Sequence, residues 1–237
     1  KQSSSTDMLN VFSNYATLLI RQDKYAEAKV CLEKALGLVN DVAGTAVNDH
    51  RLMIIYDRYA LCLAQAGNNS EAAEYFRKST SLCQKQKDYL PSDAEIYLNA
   101  ILFFRSQSDF VTAEKLIAER INLTEQKFGK DGEQTFLAVL DKMVHLRDVG
   151  KLEQSEQVSQ SLLAQVGNIN FASESKALFY SNYALLMDDL RRYGEEESAY
   201  LQCRSLIKQG KLSDEYSSKV SLQLAGLYKR QGKFADA

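Results

Sequence analysis

DKYAEA, residues 23–28, reads as a tight turn running into a helix, and variants of it return five times along the chain. They are GNNSEA at 67–72, SDFVTA at 108–113, GKLEQS at 150–155, RRYGEE at 191–196 and GKFADA at 232–237. Their starts are 44, 41, 42, 41 and 41 residues apart. The tetrapeptide SNYA, at 13–16 and again at 181–184, lies 168 residues from its copy, which is four periods of 42. A fixed period of this length marks one supersecondary unit written repeatedly, and it takes precedence over assigning elements singly.

Upstream of each phrase is an apolar helical pattern. A small position holds Ala16, Ala60, Ile101, Met143, Ala184 and Ala225. Three residues on, a large one holds Leu19, Leu63, Phe104, Leu146, Met187 and Tyr228. In the first unit Phe12, Tyr15, Ala16 and Leu19 follow the spacing of one helix face, and Tyr25, Ala28, Leu32 and Ala35 do the same after the turn. Each unit is therefore a helical hairpin, and one hairpin cannot bury its apolar face alone. The expected fold is all-α, a right-handed superhelical solenoid of stacked antiparallel helix pairs. The units are expected at about 7–47, 48–91, 92–130, 131–168, 169–211 and 212–237, the last incomplete, and together make one domain over 1–237. Between hairpins, YLPSDAE at 89–95 and GKDGEQ at 129–134 combine a helix stop with a Ser or Asp cap for the next start.

Composition agrees. The 237 residues include one proline and eleven glycines, few of the punctuators a sheet protein needs for its turns. With 29 basic against 31 acidic residues, the chain lacks the excess of positive charge that draws in nucleic acid or anionic lipid. No apolar run reaches the roughly 18 residues of a membrane span, and the opening residues lack the apolar core of a signal peptide. Cys31, Cys62, Cys83 and Cys203 form no CxxC pair and read as small buried hydrophobes in a reducing, cytoplasmic setting. The absent initiator methionine, and a sixth unit that stops one turn into its second helix, are read as signs of a longer chain, so the missing signal peptide decides little and other domains of that chain are candidate partners.

These residues resemble the tetratricopeptide repeat. The second unit matches its pattern with Tyr56, Tyr59, Ala60, Leu63, Gly67, Ala72 and Phe76, and the first with Phe12, Tyr15, Ala16, Leu19, Tyr25, Ala28 and Ala35. The spacing is similar to the long, roughly 42-residue variety found in kinesin light chain. Departures fall at Ile101 and Arg120 in the third unit, Lys142, Met143 and Ser155 in the fourth, and Glu196 in the fifth.

The resemblance implies that first helices line a concave groove holding an extended or helical peptide. The residue that points into it would be Asn14, Arg58, Asn99, Asp141, Asn182 and Gln223. An Asn amide both donates and accepts, so Asn14, Asn99 and Asn182 would hold a peptide backbone whatever its side chains. Flanking positions, among them Asp57, Leu61, Leu98, Leu102, Leu140 and Leu185, form a largely apolar strip for Leu, Phe or Tyr anchors.

The expected function is a protein-interaction scaffold. The alternative is a regulatory or sensor domain that binds a signal peptide or its own flanking segment. An RNA-binding helical repeat is disfavoured by the neutral charge and the apolar strip. No cofactor, metal or catalytic residue is expected: His50 and His145 are 95 residues apart, and no nucleophile, phosphate-loop or metalloprotease motif occurs.

Overall fold

The computed structural model describes residues 2–42, 49–85 and 93–233. They form eleven α-helices: α1 Gln2–Arg21, α2 Tyr25–Val42, α3 Asp49–Gln65, α4 Asn69–Lys85, α5 Asp93–Ser106, α6 Phe110–Phe128, α7 Glu133–Asp148, α8 Leu152–Asn168, α9 Ser173–Asp189, α10 Tyr193–Gly210 and α11 Asp214–Arg230. Among the described residues there is no strand, and no helix is long and apolar enough to cross a membrane.

The phrases that announce the repeat are one turn built six times. At residues 22–24 the amide of Asp23 bonds Ile20 O at 3.0 Å and that of Lys24 bonds Leu19 O at 2.9 Å, while Asp23 takes a φ of 58°. This is the paired closure of a helix end by a left-handed residue. The same pair of bonds recurs around Gly67, Ser108, Gly150, Arg191 and Gly232, each the first residue of its phrase and each with positive φ. Glycine adopts this conformation without steric cost, whereas an ordinary L-residue loses about 1–2 kcal/mol there. Arg191→Gly is accordingly expected to stabilise the chain by about 0.5–1 kcal/mol after glycine's greater unfolded-state entropy is offset. Urea unfolding followed by circular dichroism measures it, and a loss of stability would show that the Arg191 side chain supplies something this backbone argument omits.

The columns read from the sequence are buried columns. Ala16, Ala60, Ile101, Met143 and Ala184 are all buried, as are Leu19, Leu63, Phe104, Leu146 and Met187. In the last hairpin Ala225 and Tyr228 are half-buried. The departures from the family pattern keep the same register. Ser155 stands where other units have Ala28, Ala72 and Ala113, and it is buried with its Oγ donating to Met143 O at 2.8 Å. Glu196 occupies that column in the fifth unit and is buried too, as is Arg120 in the column of Ala35 and Cys203.

The chain divides into two compact units, residues 1–123 and 124–237. In the first, α1 packs on α2 and α3 on α4, while α2 meets α3 and α4 meets α5. First helices also adjoin, α1 with α3 and α3 with α5. Its aromatic core includes Phe76, Phe103 and Phe104, with ring centroids 4.9 and 5.2 Å apart in sequence. In the second, α7 pairs with α8 and α9 with α10, and α11 packs on α10. Phe136 sits between Phe171 and Phe179 in one cluster, and Tyr200, Cys203 and Leu224 belong to the next.

One cap differs from expectation. The α7 helix begins at Gly132 with no side-chain cap, and Thr135 Oγ1 instead donates back to Gly129 O at 2.7 Å. A β-carbon at Gly132 would stand 2.5 Å from Phe128 O, which explains the glycine. Residues 89–92 of the other inter-hairpin phrase, and 234–237 of the last turn phrase, lie outside the described residues.

Candidate functional site

In the first unit, the adjoining first helices α1, α3 and α5 leave two hollows. One, of about 500 Å³ between α1 and α3, is lined by Asn10, Ser13, Asn14, Thr17, Arg51 and Arg58 among others. The second, of about 320 Å³, lies where α3, α4 and α5 meet. Leu61, Asn99 and Leu102 line it above Phe76 and Phe103, and Gln65, Asn69 and Gln107 supply amides. The structure thus gathers Asn14 with Arg58, and Leu61 with Asn99 and Leu102. Leu102 is 50% exposed, unusual for a leucine and necessary for one that is to meet a ligand.

Beneath these hollows is a polar floor that the flanking-position reading missed. Asp57 is buried, and Asn99 Nδ2 donates to its two carboxylate oxygens at 3.2 and 3.1 Å. Arg58 lies 3.6 Å from the same carboxylate and reaches Glu95 at 3.2 Å. Burial pushes the Asp57 carboxyl up to about 7, with Arg58 and Asn99 opposing the rise. Close by, His50 Nε2 and Asp93 Oδ1 are 2.9 Å apart. Asn99 therefore commits one amide N–H to the Asp57 carboxylate, and its oxygen stays open to a ligand.

Other expected groove residues are placed differently. Leu140 is buried in the second unit's core with Phe136, Met143 and Leu162, which removes it from any ligand surface. Leu98 is half-buried and lines neither hollow. Asn182 Nδ2 donates within its own helix to Leu178 O at 2.8 Å. Asp141 and Leu185 are half-buried, and Gln223 is exposed. The column of Asp57, Leu140 and Ser181 is a flank where neighbouring first helices meet. Ser181 Oγ contacts the Tyr216 hydroxyl of α11 at 3.1 Å much as Asp57 of α3 meets Asn99 of α5.

The thiols sit in surroundings that suit packing. Cys62, Cys83 and Cys203 are buried and Cys31 is half-buried. Burial raises the first three, Cys62 and Cys203 to about 11, so they stay protonated at neutral pH and are poor nucleophiles. Among the described residues no three potential ligands gather to hold a metal.

A family model described as tetratricopeptide repeat matches residues 7–85. Residues 7–85 therefore carry tetratricopeptide repeats. Beyond that segment the same turn recurs at Ser108, Gly150, Arg191 and Gly232, and the buried columns continue. Solved structures share the fold at low identity. A putative kinesin light chain of Podosopora anserina with nearly identical TPR-like repeats aligns with a TM-score of 0.67 at 13% identity, over 86% of this chain and 97% of its own. BtubC (BKLC) of P. vanneervenii gives 0.67 at 14%, over 91% and 86%. The Pseudomonas aeruginosa pilF protein gives 0.60 at 15%, over 98% and 89%. No curated protein matches the chain.

Proposed function

We propose that this tetratricopeptide protein is an interaction scaffold that holds a peptide or helical segment of a partner protein against its first helices. The observation that carries the reading is the second hollow of the first unit, where half-exposed Leu102 and Leu61 stand over an aromatic base inside a rim of amides. An apolar base with a few fixed polar groups is the usual make-up of a recognition site. The amides of Gln65, Asn69 and Gln107, with the Asn99 oxygen, can pair a backbone, and the leucines can bury a Leu, Phe or Tyr anchor. Asn14 and Arg58 extend this surface into the adjoining hollow. In the second unit Asn182, Leu185 and Gln223 hold the corresponding positions of their own first helices.

One buried anchor is worth roughly 1.5–3 kcal/mol, or about tenfold to a hundredfold in affinity. A peptide library rich in spaced Leu, Phe and Tyr, titrated by fluorescence anisotropy, should yield saturable ligands whose affinity drops at least about tenfold with Leu102→Asp. Leu102 is the residue to change because its exposure spares the fold, whereas Asn99→Ala would strip Asp57 of its donor. Saturable binding indifferent to Leu102→Asp, or no saturable ligand at all, would overturn the proposal.

A further inference from the structure

The two hollows of the first unit share one buried acid. Arg58 lines the hollow between α1 and α3, and Asn99 lines the one where α3, α4 and α5 meet. Both also meet Asp57, Asn99 through its amide at 3.1 Å and Arg58 at 3.6 Å. At that separation the guanidinium offsets the carboxylate's charge without hydrogen-bonding it, and Arg58 Nε is buried with no hydrogen-bond partner. Its other partner, Glu95, is an exposed residue at the rim. Arg58 is therefore the cation acting on Asp57, and it is loosely held. Arg51, two turns earlier on α3, lines the same hollow. It is exposed and has no ion-pair partner among the described residues. Asn10, Ser13 and Asn14 of α1 add amides and a hydroxyl, and no acid is among the lining residues.

We infer that this hollow takes an oxyanion of the partner peptide, on an Asp, Glu or phosphorylated side chain, and that Asp57 governs the capture by competing for Arg58. The inference deepens the scaffold reading and rests on it for the remainder of the peptide. Guanidinium groups suit both kinds of oxyanion because their N–H donors lie in a fixed plane. While Asp57 is ionised, an arriving oxyanion must share Arg58 with a buried negative charge, and a buried charge deprived of its cation is strongly unfavourable. Capture is completed when a proton from solvent adds to the Asp57 carboxylate, which frees Arg58 for the ligand. Burial already pushes that carboxyl up to about 7, so the exchange falls near neutral pH. By reciprocity, whatever protonates Asp57 tightens the oxyanion. The other ionisable groups around Asp57 are otherwise engaged. On α5, Glu95 faces Arg58, and Asp93 lies 2.9 Å from His50 of α3. On α4, the buried Cys83 thiol feels the charges of Asp93 and Asp57 and stays protonated. On α2, Glu33 and Lys29 act on Tyr59 and Cys62 instead.

The test titrates the 237-residue chain with sodium sulfate and with sodium acetate at pH 6 and pH 8, chloride holding the ionic strength constant. Arginine side-chain N–H resonances report binding by NMR. Saturable shifts at Arg58 and Arg51 are expected, with affinity at least about fivefold weaker at pH 8 than at pH 6. Tighter acetate assigns the group to an Asp or Glu side chain, and tighter sulfate to a phosphorylated one. Asp57→Asn, checked for folding by circular dichroism, should bind equally at the two pH values and about as tightly as the natural chain at pH 6. Arg51→Gln, at an exposed position, should weaken binding at both while keeping their ratio. No saturable shift with either ion at pH 6 would overturn the inference. So would a pH dependence that survives in Asp57→Asn, or binding untouched by Arg51→Gln. The probe ions carry no apolar anchor, which separates this result from the peptide-library titration. A library ligand lost with Leu102→Asp, in a chain that binds neither ion, would sink this inference and leave the scaffold reading standing.

Discussion

Asp57→Asn stabilises the first unit at pH 8 and removes most of its pH dependence between pH 4 and 8. The reasoning starts from burial. The Asp57 carboxyl is 1% exposed and its pKa rises from 3.8 to about 7 because the ionised form loses hydration. A carboxyl raised in the folded state takes up a proton on folding. Its contribution to stability is fully present below about 3.8 and is lost as pH rises through about 7. A shift of that size corresponds to something on the order of 4 kcal/mol between the ends of the window. An amide in the same place has nothing to ionise, and its oxygen still accepts from Asn99. Arg58, with Glu95 as a second partner, is not left as an isolated charge. Urea unfolding by circular dichroism at pH 4.5, 6 and 8 reads the effect, since the chain has no tryptophan to report. The gap between variant and natural chain should be small at the acid end and widen with pH. A gap that stays constant, or favours Asp57 at pH 8, would mean that Arg58 and Asn99 outweigh the lost hydration.

How far the molecule could be read beforehand follows from the range of the forces concerned. The turns are local. A left-handed residue closing a helix needs only its own neighbours, so Asp23, Ser108 and Arg191 appear where the phrase predicts although none is glycine. The buried columns are also legible, because a position facing inward in one hairpin faces inward in the next. Met143, Ser155 and Glu196 are buried despite being the wrong residue types for their columns. The candidate site is less so. Whether a position on a first helix's flank opens to a ligand depends on what the neighbouring helix brings, and Asn99 reaches Asp57 across 42 residues of sequence. Leu98 and Leu140 share that column and are equally apolar, yet one is half-buried and the other is in the core. The amides of Gln65, Asn69 and Gln107 lie at helix ends beside the repeated turns, and a strip read along helix centres passes them by.

The fifth hairpin supplies the second large effect. Glu196 fills a column that holds alanine or serine in the units before it. Its carboxylate is buried and reached at 2.7 Å by Arg230 of α11, which also bonds Asp188 at 3.1 Å. Burial chiefly, and then Asp188, raises the Glu196 carboxyl above its ordinary range, while Arg230 pulls the other way. Arg230→Ala removes the one cation from this trio and leaves a buried acid beside Asp188. Losing one partner of a fully buried pair costs about 3–5 kcal/mol, and because Arg230 is itself 42% exposed the expected loss is nearer about 2–3 kcal/mol. It should appear as weakened docking of α11, read by faster amide exchange over Asp214–Arg230. Glu196→Ala alone places the column's usual residue against the neighbouring helices, and its cost should be smaller than that of Arg230→Ala. The double variant decides the matter: with no buried acid left to compensate, it should regain most of what Arg230→Ala lost. Additive losses would show instead that Arg230 holds α11 through Asp188 alone.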